Sequence, residues 1–384
     1  MKRTQRFMIL AILVLSGLLG SLNNYAAAPT YSCDIRNGSF VSSKIFEFDI
    51  YLTQSGATQM ELAGFNTGIL LNTGFVNSGT ITATLLAGSE LNASQVPTNI
   101  AYDATYRCIK IAPQKPPRNY TTGITSGTIL SSTAGTKVCR VRLTNSADFG
   151  TDPLNYSWSM NLMPYHTVVA AFVPPTSGPY VNTIITNATS HAVTGNLTAY
   201  LEGLYSSGTG NRKAQDEVGN HFAGPVADQV TVSLASAALP YATVYTAANV
   251  LLYANGKCSF SIPGSLTGSY YIVVNHRNSI ETWSAAPVAL TGGVNYNFTT
   301  AASQAFGNNM KALAGGVFGF YGGNTSGSAD QKVDGTDMAI VDNGSTILLK
   351  GYVTADATGD GKVDGSDMAL VDNNATAVVS RIKP

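Results

Sequence analysis

Charge is what this sequence has least of. Lysine, arginine, aspartate and glutamate make up only 11% of its 384 residues, 22 basic against 22 acidic, with no net charge. An ordinary soluble domain carries roughly 25%. No cluster of lysine and arginine stands out, and phosphate binding needs one, so nucleic acid is excluded as a partner. Histidine is as scarce: His166, His191, His221 and His276 are the whole supply. No G-x-S-x-G motif accompanies them, so acyl transfer has no local support. Glycoside hydrolysis needs two carboxylates flanking a cleft, and Glu47, Glu61, Glu202 and Glu281 stand in no motif. Cysteine occurs four times with no C-x-x-C, which argues against a zinc site. Past the N-terminal segment, no apolar run is long enough for a membrane helix.

Apolar residues are plentiful, at 44%, so the chain can build packed cores. It opens "MKRTQRFMILAILVLSGLLGSLNNYAAAPT". Lys2, Arg3 and Arg6 precede an apolar run, Phe7 to Leu19, and Ala26, Ala27 and Ala28 follow. This is the layout of a secretory signal peptide, residues 1–28. The expectation is a protein secreted or held at the cell surface, with no membrane span in its mature form. Export permits disulfides. Cys108 and Cys139 lie in strand-like runs, "YRCIKIA" and "TKVCRVRL". They either face one another or stay buried as free thiols. Cys33 and Cys258 stand far from them, Cys258 without an evident partner.

From Thr30 to about Val173 the pattern is short strands and turns. In "KIFEFDIYL", Ile45, Phe46, Phe48, Ile50 and Leu52 interleave with Glu47, Asp49 and Tyr51. "TITATLL", "CIKIA", "KVCRVRLT" and "YSWSMNLM" repeat the period of two, separated by "NTG", "NSG", "SSTAG" and "FGTDP". Many strands at this spacing predict an antiparallel β-sandwich. "VPPTSGPYV" starts a connector to about Ser190, and a second strand-rich block runs from about Ala192 to Thr300. Within it "NHRNSIETW" is dense in polar side chains, with His276, Arg277, Glu281 and Trp283. It reads either as a sugar or catalytic site, or as a salt-bridged strand end capped by a core tryptophan; the second is the simpler. The expected organisation is one sandwich over 29–190, another over 191–320, and a different tail over 321–384.

The tail is duplicated. "SADQKVDGTDMAIVDNG" is echoed by "TGDGKVDGSDMALVDNN", so that Val333 matches Val363, Asp334 matches Asp364, Asp337 matches Asp367 and Met338 matches Met368, a period of 30 residues (363 − 333). Internal repeats of this kind are read before anything else. Counted from Asp356, the second copy places Asp356, Thr358, Asp360, Asp364 and Asp367 at the first, third, fifth, ninth and twelfth positions. An EF-hand-type loop draws side-chain oxygens from those positions and a main-chain carbonyl from the seventh, here Lys362. Gly361 falls where the loop turns sharply, a turn that a residue without Cβ takes at least cost. Calcium, a hard cation that wants six to eight oxygens, is the metal this set suits. In the first copy Ser326, Ser328, Asp330, Lys332, Asp334 and Asp337 take the same places, but Gln331 replaces the glycine and two acids have become serine. That copy is a weaker calcium loop or a packing relic.

A paired D-x-x-x-D-G-x-V-D-x-x-D loop, closed by aspartate at Asp337 and Asp367 and followed by a short helix, resembles a dockerin domain; Thr358 departs from the asparagine or aspartate usual there. The resemblance covers about sixty residues. It implies calcium, a pair of EF-hand-like helices, and a cohesin partner. The matching partner-facing positions are Gly335, Thr336, Asp342 and Asn343 in the first copy, and Gly365, Ser366, Asp372 and Asn373 in the second. The first sandwich, with "SSKIFEFDIYL", "ELAGFNTGI" and "VCRVRLTN", is similar to cohesin-like domains of exported Bacteroidetes proteins. The middle block, with "YYIVVNHRNSIETWS", resembles the transthyretin-like or carbohydrate-binding-like modules of such proteins.

The fold expected is mainly β: two antiparallel sandwiches, then a small helical EF-hand-like tail. The expected role is non-enzymatic assembly or adhesion, with no catalytic residues and with the calcium-bound tail docking onto a cohesin-like domain of its own or a foreign chain. The alternative is a polysaccharide-binding or polysaccharide-degrading component of an extracellular complex.

Overall fold

The computed structural model describes residues 29–112, 127–160, 165–173, 182–186, 190–327 and 331–384. The proposed signal segment, Ser328 and Asp330 lie outside the described residues.

The first unit is a sandwich of two sheets. One orders the strands Ser190–His191, Tyr31–Ser42, Ile45–Gln54, Thr136–Asn145 and Ile81–Leu86. The other orders Asn182–Thr186, Val168–Val173, Glu61–Leu70, Cys108–Ala112 and Asn99–Asp103, with Ser157–Trp158 also paired to Glu61–Leu70. Alternation explains the packing. Phe46, Phe48, Ile50 and Leu52 point inward and are all but fully buried, and Leu62, Phe65, Ile69, Ile109 and Ile111 meet them from the facing sheet. Each such side chain contributes about 1.5–3 kcal/mol by leaving water. On the outer side Glu47 is clamped by Arg140 at 2.8 Å and Arg142 at 2.5 Å, and Asp49 by Arg140 at 3.0 Å.

Two expectations change here. The stretch read as a connector up to Ser190 carries a strand, Asn182–Thr186, which adds antiparallel to Val168–Val173. "YSWSMNLM" supplies only the short strand Ser157–Trp158 among its described residues. All four cysteines are free and buried. Cys139 shares its core with Cys33, two strands over on the same sheet with Ile45–Gln54 between them, while Cys108 belongs to the opposite sheet and is absent from that cluster.

The middle unit is a smaller two-sheet structure. Lys257–Ile262, Val193–Thr198 and Val294–Asn297 form one sheet. Thr243–Tyr253, Val226–Ser236, Ser269–His276 and Ser279–Trp283 form the other, with Val288–Ala289 on its edge. Its core gathers Leu197, Val232, Leu234, Leu252, Ile272 and Phe298. It is keyed to the first sandwich by Tyr156, whose hydroxyl meets Ser261 Oγ at 2.7 Å, and by Lys257, 2.6 Å from Asp152. Between the two a cleft of about 730 Å³ is lined by Asp34, Arg36, Gln54, Ser132, Tyr245 and Asn249, among others.

The tail holds two twelve-residue helices, Gly335–Thr346 and Gly365–Thr376. Each starts in a capping box: Asp334 and Asp364 accept from the main chain of the first turn, and Asp337 and Asp367 reach back to the cap N–H. A cap of this kind holds a helix start by about 1 kcal/mol. Among the described residues no helix is long and apolar enough to cross a membrane.

Candidate functional site

Neither half of the tail closes on itself. The Val333 N–H donates to Val379 O, and the Val363 N–H donates to Leu349 O, both at 2.9 Å. Lys332 bridges Ser380 and Lys362 bridges Lys350, both antiparallel. Each pair converts to the other by adding 30 to one member and subtracting 30 from its partner. The strand after each helix therefore pairs with the loop of the other repeat, which is approximate two-fold symmetry. The backbone repeats it as well: Leu348 and Val378, just past the two helices, both take positive φ, 53° and 54°. Val333, Val341, Val363 and Val371 meet in one core, with Met338 and Met368 packed against it. Neither helix could bury its valine face alone.

In the second loop, Asp356 and Asp367 are buried completely, each 0% exposed. Asp356 Oδ1 accepts the Gly359 and Asp360 N–H groups at 2.7 and 3.1 Å, and its Oδ2 accepts that of Gly361 at 2.9 Å. Asp367 accepts from Thr358 at 2.8 Å and from Asp364 at 2.9 Å. Asp360 Oδ1 takes the Lys362 N–H at 3.1 Å, and Asp364 caps Ser366 at 2.8 Å. Burial pushes the Asp356 carboxyl up to about 6, with the nearby Asp367 charge adding to it. The Asp367 carboxyl is raised too, again chiefly by burial. Neither makes an ion pair among the described residues; Arg277 meets Asp356 only at its main-chain oxygen. Two buried carboxylates without a cation fit a site that receives one. Among the described residues no three His, Cys, Asp or Glu side chains gather as a metal cluster. The rest of a calcium shell would have to come from Thr358, Lys362 O, water and small rotations of Asp360 and Asp364.

The described residues of the first loop make a different set of contacts. Asp337 is buried and accepts from Ser326 at 2.8 Å and from Asp334 at 2.9 Å. Lys332 is exposed. Gln331, standing where the second copy has Gly361, keeps a positive φ of 52°. Its side-chain oxygen accepts the Glu281 N–H at 2.9 Å. This loop is a contact with the middle unit.

That contact is extensive and was missed from sequence. The "NHRNSIETW" ledge is not an open sugar site but the seat of the tail. Arg277 donates to the carbonyls of Val353 and Asp356, and Asn278 donates to those of Thr354, at 3.3 Å, and Asp356, at 2.8 Å. Arg381 pairs with Glu281 at 3.2 Å, and Trp283 Nε1 donates to the same carboxylate at 2.6 Å. Ile280 belongs to the tail's core rather than its own domain's. Below it Asp228, 0% exposed, lies 3.1 Å from His276 and accepts from the Tyr352 hydroxyl. Burial would raise the Asp228 carboxyl, but the His276 and Arg277 charges and the Tyr352 hydrogen bond outweigh it and hold it down at about 2. The density of polar residues in that stretch was the only sequence signal.

All eight proposed partner-facing residues are exposed: Gly335, Thr336, Asp342 and Asn343 on one helix, Gly365, Ser366, Asp372 and Asn373 on the other. A Cβ built on Gly335 or Gly365 would meet nothing within 4 Å. The symmetry thus presents one surface twice.

No protein-family model matches the chain, and no curated protein does. Among solved structures, it is similar to a type II cohesin–X-dockerin complex from Acetivibrio cellulolyticus, with 14% identity over 48% of this chain and 94% of that one, at a TM-score of 0.28. It is also similar to the second type II cohesin module of an adaptor scaffoldin of the same organism, with 9% identity over 42% and 91%, at 0.23. A C-terminal fragment of the major pilin of Streptococcus agalactiae has 7% identity over 70% and 99%, at 0.20. Likenesses this slight decide neither family nor function.

Proposed function

We propose that this chain is an exported, non-enzymatic assembly or adhesion protein whose tail, loaded with calcium, docks onto a cohesin-like sandwich. The observation that carries the reading is the reciprocal pairing of the two repeats, which leaves a matched pair of small, uncovered helix faces. Asp356, Thr358, Asp360, Asp364 and Asp367 with the Lys362 carbonyl would hold the ion. Bound calcium would supply the counter-charge that Asp356 and Asp367 lack and stiffen the loop that leads into the second helix. The partner is a protein domain, either the first sandwich of another copy or a similar one in a foreign protein. Contacts between copies of the first kind run head to tail and propagate unless the rotation closes.

Sedimentation of the full chain, with calcium and with chelator, tests the first possibility; capture of isolated cohesin-like domains tests the second. Thr336→Arg with Ser366→Arg should remove association that calcium permits, while either alone leaves one face working. Association indifferent to the chelator and to the double substitution would sink the reading.

A second reading rests on the cleft between the sandwiches. Its lining of hydroxyl, amide and tyrosine side chains suits a neutral glycan, and polysaccharide binding there would make the chain a substrate-holding component of such a complex. Affinity electrophoresis in gels cast with polysaccharide distinguishes the two.

A further inference from the structure

One buried group in the tail has no counterpart in the other repeat. Asn374 corresponds to Gly344, where a Cβ would meet Val363 Cγ1 at 2.9 Å. The first repeat therefore leaves no room for a side chain at that point. The second places a carboxamide there, 0% exposed, and aims it at the middle unit.

Two residues of the middle unit receive it. Lys311 opens the short strand Lys311–Leu313, and Glu202 follows the strand Val193–Thr198. Lys311 Nζ lies 3.2 Å from Asn374 Oδ1 and 2.7 Å from Glu202 Oε1. Glu202 Oε2 lies 2.6 Å from Asn374 Nδ2. Asn374 Nδ2 also donates to Gly322 O at 3.0 Å, and the Lys311 ammonium lies 5.7 Å from the centre of the Tyr321 ring. Glu202 keeps 12% of its side chain exposed and Lys311 32%. An amine, a carboxamide and a carboxylate that touches both are thus held together, the carboxamide fully buried and the amine partly open to water.

We propose that Lys311 and Asn374 join in an isopeptide bond, formed with Glu202 as the proton carrier, which fastens the tail covalently to the middle unit. Glu202 Oε1 takes a proton from the Lys311 ammonium. The neutral amine attacks Asn374 Cγ and forms the new C–N bond. Glu202 returns that proton through Oε2 to the amide nitrogen, the old C–N bond breaks, and the departing ammonia takes the second proton of the attacking nitrogen and leaves as ammonium. One C–N bond forms and one breaks; no oxidant, reductant or cofactor enters. The folded chain supplies the rate. Well-oriented neighbours reach effective molarities on the order of 10⁵–10⁸ M, and a positioned acid–base group adds roughly 10²–10⁴-fold. The bond would keep the tail seated on its ledge under tension, whatever the tail itself binds.

The test is mass spectrometry of the purified full chain. The expected intact mass is lower than that of the sequence by one ammonia, and digestion under denaturing conditions yields a branched peptide joining Lys311 to Asn374. Glu202→Gln should keep the full mass and give two separate peptides. Lys311→Arg, which keeps a cation beside Glu202, should do the same, and serves where Glu202→Gln fails to fold. A native chain of unreduced mass, or one in which Asn374 has merely become aspartate, overturns the proposal. So does a branched peptide that persists in Glu202→Gln, because the carboxylate would then play no part.

Discussion

Acidifying the calcium-free protein from about pH 7.5 to about pH 4.5 should stabilise its tail, the reverse of the usual acid response of ion-paired carboxylates. The cause is Asp356, whose carboxyl burial raises from 3.8 to about 6. The folded state then holds this proton more tightly than the unfolded chain does. The stability it contributes is present in full below the unfolded value and is lost as pH rises through about 6. A shift of about two units at about 1.36 kcal/mol each gives about 3 kcal/mol between the two limits, of which about 2 kcal/mol falls between about pH 7.5 and about pH 4.5. Asp367 is raised as well and acts in the same direction. Calcium opposes this trend, because it competes with those protons for the same oxygens. At roughly ten times its Kd it should add about 1.4 kcal/mol near neutral pH and almost nothing at about pH 4.5. Asp356→Asn removes the buried charge while Oδ1 still accepts from Gly359 and Asp360; the amide group facing Gly361 N–H costs about 1 kcal/mol. The variant should therefore be more stable than the parent without calcium at neutral pH, by about 1–2 kcal/mol, and blind to calcium. Scanning calorimetry of the full chain, with calcium and with chelator at both pH values, reads all three numbers from the transition that calcium moves. A chelated tail that weakens steadily on acidification through this range would refute the reasoning, as would a calcium shift of equal size at both pH values.

Four further outcomes follow from the packing. Asp228→Asn leaves Arg277 and His276 buried beside no counter-charge and should cost about 3–5 kcal/mol in chemical denaturation; a loss under 1 kcal/mol would mean the cluster is not desolvated as described. Arg277→Lys cannot reach the Val353 and Asp356 carbonyls together, so limited proteolysis should open the tail from the middle unit much sooner than in the parent. Val333→Ala and Val363→Ala should each cost about 2 kcal/mol, since each removes two methyl groups from the shared core; a loss under about 0.5 kcal/mol for either in denaturant unfolding would mean that its side chain is not packed there. The four thiols should react with an alkylating reagent only after unfolding, because burial raises every one of them, Cys139 and Cys258 to about 12; rapid native modification would contradict it.

What the sequence determined by itself was local. Alternation in "KIFEFDIYL" needs only the two faces of one strand, so the inward set from Phe46 to Leu52 was legible without a fold. The 30-residue repeat, the spacing of its aspartates and the turn around Gly361 were equally readable, because each is settled within a few residues. Burying Val333 and Val363 against each other followed from the repeat, since neither helix has enough apolar surface to stand alone. Tertiary structure decided everything that joins distant segments. Nothing near Cys139 in sequence says that its core neighbour is Cys33 rather than Cys108. Arg277 and Asn278 are ordinary polar residues until the carbonyls of Val353, Thr354 and Asp356 are brought over them. Gln331 looked like a damaged calcium position and became a docking contact, while Asn374 looked like a repeat residue and met Lys311 and Glu202. A strand or a cap is selected by the energies of neighbouring residues, but which surfaces meet is selected by shape and buried area over the whole chain, and those do not exist until it has folded.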